Sequence, residues 1–288
     1  MCKEVIEYLN LRPGSIVVDA TIGTAGHSLA ILEKILPGGL LIGLDKDKET
    51  LEISRERLKS FRDRCILIHE DFRNIDVVTK NLNLNGVDGI LFDLGVSRFQ
   101  LDNPERGFSF NSEGPLDMRM DRESFISAYD LVNNLNTDEI SDILWSCGQE
   151  RRHNRSARHL VEERQKLPIS TTRQLSDIVV NSLPYKARHK KIHAATKTFQ
   201  ALRIAVNREL EAEEEALKKS VGLLNRGGRI CVLSFHSLED RIVKQNFRNF
   251  SDAGELKIIT PKPLEPQEAE KQANPMSRSA KLRVAERL

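Results

Sequence analysis

"SIVVDATIGTAGHSLAILEKILPGGLLIGLD", residues 15–45, contains the pattern that decides the fold. Ser15 to Ala20 reads as a short apolar strand, His27 to Leu36 as a helix, and Leu40 to Leu44 as a second apolar strand closed by Asp45. Between the first strand and the helix, Gly23 and Gly26 let the backbone come close to a ligand, and the helix start offers free N–H groups. Roughly twenty residues beyond the turn, Asp45 occupies the place where an acid binds a ribose diol in nucleoside-binding α/β folds. The stretch therefore predicts a nucleoside cofactor, without choosing between a nicotinamide dinucleotide and S-adenosylmethionine.

The same rhythm extends on both sides. A helix (Val5 to Leu11) precedes it. A helix with apolar Leu51 and Leu58, the strand Cys65 to His69 and the strand Gly89 to Phe92, ending on Asp93, follow. Short apolar strands separated by helices predict a doubly wound parallel α/β sheet covered on both faces. After a Gly/Pro-rich loop (104–115), helical segments at 128–131, 137–147, 151–163 and 172–182 come with no strand between them. Then Phe199, Leu202, Val206, Leu210, Leu217, Val221 and Leu224 keep helical spacing, which predicts one long amphipathic helix stopped by Asn225-Arg226-Gly227-Gly228. "RICVLSF" (229–235) predicts a fifth buried strand. "HSLEDRIVK" (236–244) predicts a helix with Ser237 as its N-cap and Asp240 completing a shortened capping box. Residues 261–273 predict a flexible tail, and "KLRVAERL" (281–288) a last strand. The expected organisation is a sheet domain in two parts, 1–103 and 207–288, around an inserted all-helical domain at 104–206.

Composition narrows the function classes. With 39% hydrophobic and 30% charged residues in 288, the chain has the profile of a soluble, helix-rich α/β protein. Aromatic residues, at 5%, argue against a stacking platform for single strands. Cys2, Cys65, Cys147 and Cys231 form no CxxC pair, and no segment has the length of a membrane span, so a cytoplasmic protein with reduced thiols is expected. Net charge is +2, yet residues 151–208 alone carry +11 and the remainder −9. Such a block predicts a polyanionic partner, against the plainer alternative of a solvated helical face. Arg151, Arg155 and Arg158 fall on one helix face, and Lys186, Arg188, Lys190 and Lys191 form a second cluster; both suit RNA phosphates. His189 and His193 have i,i+4 spacing but no third ligand, so no metal site is expected.

Three features favour S-adenosylmethionine: the turn lacks the third glycine of GxGxxG, Asp71 and Phe72 in "HEDFRN" supply an acid and a ring face for adenine, and Asp93 ends the fourth strand across the switch point. A base amino group is a poor nucleophile because its lone pair is delocalised into the ring. A carboxylate that accepts its N–H favours the pyramidal form that can attack a sulfonium methyl, and stabilises the positive charge that develops. Carbon methylation of pyrimidines needs a thiolate, and none of the four cysteines sits in the Asp93 loop or the His236 turn. Asp93 and His236 are the catalytic candidates, although a histidine in that place equally serves as a cap or packing residue.

"DATIGTAGHS", "FDLGVSRFQLDNPERGFSFNSEGPLDMRMD", "TKTFQALRIAVNREL", "GGRICVLSFHSLEDRIVK" and "SRSAKLRVAER" together resemble the RsmH (MraW) family of bacterial ribosomal RNA methyltransferases, over nearly the whole chain. The resemblance implies a class I S-adenosylmethionine-dependent methyltransferase domain with an inserted helical recognition domain. It implies methylation of the N4 amino group of a cytidine in the decoding region of small-subunit (16S) ribosomal RNA. By motif position it implies cofactor contacts from Ala25, Gly26, His27, Asp45, Phe72, Asp93 and Gln100, with the small ribosomal subunit or its RNA as partner and a homodimer as a further expectation. Ala25 stands where the family usually has glycine, Arg98-Phe99 where it has Ser-Pro, and Ala194 where it has proline. The rival readings are an amino methyltransferase acting on another base or on protein, and a non-catalytic RNA-binding assembly factor.

Overall fold

Apolar side chains alternate along each strand and so load both faces of one sheet. In a computed structural model describing residues 1–184 and 193–288, the strands are β1 (Ile16–Asp19), β2 (Leu40–Asp45), β3 (Cys65–His69), β4 (Val87–Asp93), β5 (Leu224–Ser234), β6 (Leu256–Ile258) and β7 (Lys281–Arg287). They form one sheet in the order β3-β2-β1-β4-β5-β7-β6. Strands β1 to β5 pair in parallel, while β7 is antiparallel to both β5 and β6. Two compact units result, one of Met1–Gly95 with Leu210–Leu288 and one of Val96–Glu209. The expected 104–206 insert is a shorter span inside the second.

Helices α1 (Cys2–Leu9), α2 (Gly26–Ile35), α3 (Lys48–Arg57) and α4 (Ile75–Asn81) alternate with the first strands. The second unit contributes α5 (Arg98–Asp102), α6 (Ala128–Asn134), α7 (Thr137–Ser146), α8 (His153–Arg164), α9 (Thr172–Ser182) and α10 (Thr196–Asn207). The chain continues through α11 (Glu209–Leu223), α12 (Ser237–Asp252) and α13 (Glu268–Ala273). Val17, Leu41, Leu91, Cys231 and Val284 face Val5, Ile31, Leu32 and Leu51 of α1 to α3. Their strand neighbours Val18, Ile42, Ile90, Phe92 and Val232 face Val78, Leu217, Val221, Val243 and Phe247 of α4, α11 and α12. A separate core in the second unit joins Phe108, Met118, Val132, Leu144, Leu160, Leu175, Phe199 and Leu202. Arg106, only 1% exposed, donates to the carbonyls of Arg119 and Met120 at 3.0 and 2.8 Å, so the loop before α6 closes around a hydrogen-bonded charge.

Three local expectations are corrected. The long amphipathic helix breaks at Arg208, which takes a left-handed conformation (φ 50°). Asn207 bonds Met118 and Met120 there, and Arg203 grips Glu209 with two 2.9 Å bonds across the break. Apolar periodicity continues through such a break because only one residue changes conformation. The N-cap of α12 is His236, not Ser237, and its capping-box partner is Glu239. Asp240 instead binds Lys281 and Arg283 of β7, at 3.2 and 2.7 Å. The tail expected to be flexible contains α13, and Leu264 exchanges two 2.9 Å backbone bonds with Leu282.

Leu91 is fully buried between Asp19 and Cys231 of the adjoining strands. Leu91→Ala is expected to destabilise the protein by about 2–5 kcal/mol, seen as a lower urea midpoint with an unchanged slope.

Candidate active site

Asp19, Asp45 and Asp93 are the last residues of β1, β2 and β4, so three neighbouring parallel strands each present a carboxylate at the same edge of the sheet. Parallel α/β sheets bind ligands outside this edge, where the order of strands reverses. The turn between β1 and α2 is held by left-handed residues, Gly23 at φ 52° and Ala25 at φ 62°. Alanine costs on the order of 1 kcal/mol more than glycine there. Ala25 is also the N-cap of α2 and has no side-chain acceptor for the first turn.

Asp93 connects this turn to the sheet. Its N–H donates to Thr21 Oγ1 at 2.6 Å, and its Oδ2 is 3.3 Å from His27 Nδ1. Burial disfavours a charged His27, yet Asp93, supported by Asp19, lifts its pKa above the ordinary 6.5. Asp93 Oδ1 and His27 Nε2 are both buried without a hydrogen-bond partner. A folded protein rarely leaves such atoms unpaired, and here one acceptor and one ring nitrogen lie together at the sheet edge.

Asp45 accepts from Gly23 N–H at 3.0 Å and from Asp47 N–H at 2.8 Å, which ties the glycine turn to β2. Burial pushes its pKa up to about 6. Phe72 meets Phe92 edge to face at 5.7 Å and packs on the core, with Asp71 beside it capping a single helical turn and 3.8 Å from Lys46 Nζ. His236 caps α12 through Nδ1, which accepts Glu239 N–H at 3.3 Å, while its buried Nε2, 3.1 Å from Glu239 Oε1, makes no hydrogen bond. Gln100 lies in the second unit, where its Oε1 accepts Ser97 N–H at 2.9 Å in the capping box of α5.

Sequence reading passed over Asp19. It is 1% exposed, its Oδ2 accepts the Ser28 hydroxyl at 2.6 Å, and burial raises its pKa to about 6. An acid ending an otherwise apolar strand just before a glycine turn was the available signal. Two thiols are poor nucleophiles: burial pushes Cys65 up to about 12 and also raises Cys231, which disfavours the thiolate at both.

In the second unit, Arg151, Arg155 and Arg158 line one groove of about 560 Å³, together with Arg152, which sequence reading had not singled out. Lys186, Arg188, Lys190, Lys191 and His189 lie outside the described residues. His193 stacks on Phe110 at 4.5 Å, and no group of metal-ligating side chains occurs among the described residues. No described helix is long and apolar enough to cross a membrane.

The site fits a nucleoside sulfonium: the left-handed turn leads into the start of α2, Asp45 closes the neighbouring strand, and buried Asp93 Oδ1 and His27 Nε2 lie unpaired at the sheet edge.

Known proteins agree with this architecture. Proteins named ribosomal RNA small subunit methyltransferase H share 48% identity with the chain in Brevibacillus brevis (100% of this chain, 96% of that one) and 43% in Clostridioides difficile (100% and 97%). A crystal structure of a candidate rRNA-methylase from Clostridium thermocellum matches with a TM-score of 0.50 at 15% identity, covering 100% of this chain and 95% of that one, a likeness of fold. The MraW methylase family matches residues 1–288. The chain thus belongs to the MraW methylase family, with a class I methyltransferase fold and S-adenosylmethionine as its cofactor.

Proposed function

We propose that this protein methylates the N4 amino group of a cytidine in the decoding region of 16S ribosomal RNA. One observation carries the reading: a strand-end carboxylate, Asp93, has one oxygen toward His27 and the other buried and unpaired beside the glycine turn. When bound, S-adenosylmethionine supplies an electrophilic methyl on a sulfonium. Ala25, Gly26, His27, Asp45 and Phe72 hold that cofactor in this reading. Asp45 takes the ribose hydroxyls, and Phe72 lies against adenine.

Asp93 accepts an N–H of the cytosine amino group, so the nitrogen lone pair turns out of conjugation and the charge that grows on nitrogen meets a carboxylate. His27 holds Asp93 in one rotamer and partly balances its charge. His236 acts as a positioning residue that caps α12. The target base leaves its stack to reach the edge of the sheet, while Arg151, Arg155 and Arg158 hold RNA phosphates. The relatives' names support the substrate, because each specifies small-subunit ribosomal RNA. The reading places the enzyme in the cytoplasm, as a homodimer, with small-subunit ribosomal RNA or the small ribosomal subunit as partner.

Asp93→Ala is expected to lower kcat by roughly 10²–10³-fold or more while S-adenosylmethionine affinity changes little. Mass spectrometry of digested 16S ribosomal RNA, from cells carrying the variant as their sole copy, would then lack N4-methylated cytidine. Normal methylation would remove Asp93 from the mechanism.

Reversing the charge of Arg151, Arg155 and Arg158 together should reduce the salt slope of RNA binding by about 2, at ~0.7 per phosphate contact on a single strand. An unchanged slope would make the groove a solvated face.

In Asp93→Asn, burial acts on His27 with only Asp19 left to oppose it, and its titration, followed by NMR of the imidazole, should move downward. Because His27 is raised above 6.5 when folded, the pair's contribution to stability is complete below about 6.5 and disappears as pH rises through the folded value. The stability difference between native protein and Asp93→Asn should narrow accordingly at alkaline pH.

A further inference from the structure

Trp145, the single tryptophan of the chain, stands 55% exposed at the end of α7. So large an apolar ring is ordinarily covered by the fold. Its neighbour is His153, with ring centroids 5.2 Å apart and planes inclined by 38°. That imidazole is fixed: Nδ1 is 2.7 Å from the hydroxyl of buried Ser141, which is also 2.7 Å from Asn154 Oδ1. Trp145 thus packs on a fixed imidazole while more than half of its surface stays open to solvent.

The residues flanking His153 are Arg152 and Asn154, and both line the groove of Arg151, Arg155 and Arg158. None of these four arginines makes an ion pair among the described residues, and Glu162 on the groove wall lies 3.7 Å from His159 Nδ1. Trp145 and His153 do not themselves line the groove, but Arg152 and Asn154, the chain neighbours of His153, do. Guanidinium groups without carboxylate partners and a half-exposed ring are the two components of a single-strand site, cations for the backbone and a ring for a base. Duplex RNA suits it poorly, since its base faces are occupied by stacking on one another.

We propose that Trp145, backed by His153, stacks on an unpaired base of the substrate RNA whose phosphates lie in the arginine groove. This rests on the reading of the protein as an RNA methyltransferase and adds a second contact, outside the reacting nucleotide, to that recognition. Low aromatic content argued against a stacking platform, but one ring in the right place is sufficient.

Because the chain has one tryptophan, its emission reports this site alone. The full-length protein is titrated with an unmethylated single-stranded oligoribonucleotide of decoding-region sequence, and separately with inorganic polyphosphate. The RNA is expected to quench emission and polyphosphate to leave it unchanged while competing for the groove. Trp145→Ala should bind the oligonucleotide roughly tenfold more weakly, and Trp145→Phe should recover most of that loss, with S-adenosylmethionine affinity reporting an intact sheet unit in both. Salt-dependent RNA binding with unmoved emission and full affinity in Trp145→Ala would overturn the stacking contact and leave the methyltransferase reading intact. Absence of any binding to the oligonucleotide, together with loss-free cytidine methylation in Trp145→Ala cells, would also overturn it. Absence of cytidine methylation by the native protein would instead remove the reading on which it rests.

Discussion

The parallel pairing of β1 with β4 is the constraint on which the site depends. Val17, Val18 and Asp19 lie opposite Gly89, Ile90 and Leu91, and the ladder continues beyond β1 as Ala20 N–H donates to Leu91 O at 2.8 Å. Asp88 sets the register from the other end by accepting Ile16 N–H at 2.8 Å. Strand side chains have a period of two, so a slip of one residue would exchange the two cores and turn the strand-end acids away from their partners. In the observed register Asp93 meets both Thr21 and His27, which come from the two ends of the glycine turn.

That arrangement has an energetic cost concentrated at the sheet edge. Asp19 and Asp45 both have pKa values raised to about 6 by burial, so each detracts from stability once the pH exceeds its ordinary 3.8, in full above about 6. Ser28, Gly23 and Asp47 offset part of this by donating hydrogen bonds to the two carboxylates. Ala25 adds left-handed strain at the same turn. The two apolar cores carry this burden, and strain collected at a ligand site is what preorganised binding requires.

The two units divide the chemistry. The sheet unit supplies acids and a glycine turn, suited to a small cationic nucleoside and to the amino group that receives its methyl. The helical unit supplies arginines without carboxylate partners and one exposed tryptophan, suited to a polymer with charge on its backbone and flat faces on its bases. Its stability comes from other residues: Arg106 bonded to carbonyls, and Asp117, whose burial is outweighed by Arg119 at 2.7 and 2.8 Å, so that its pKa falls. Arginine serves as structure inside the unit and as an open cation on its surface.

The sequence by itself determined every described strand but the short β6 and most of the helices, the glycine turn, the strand-end acids Asp45 and Asp93, and the basic stretch. These are local properties: alternation of apolar residues, backbone freedom at glycine, and net charge per segment can all be read without knowing what lies opposite. Only the tertiary structure decided that β7 would insert antiparallel between β5 and β6, that Arg208 would break an unbroken apolar pattern, and that His236 would cap α12 against Glu239. It alone brought His27 to Asp93, Ser28 to Asp19, Trp145 to His153, and the four arginines into one groove. Those pairings depend on strand register, helix phase and side-chain rotamer acting together, and no window of neighbouring residues contains that information.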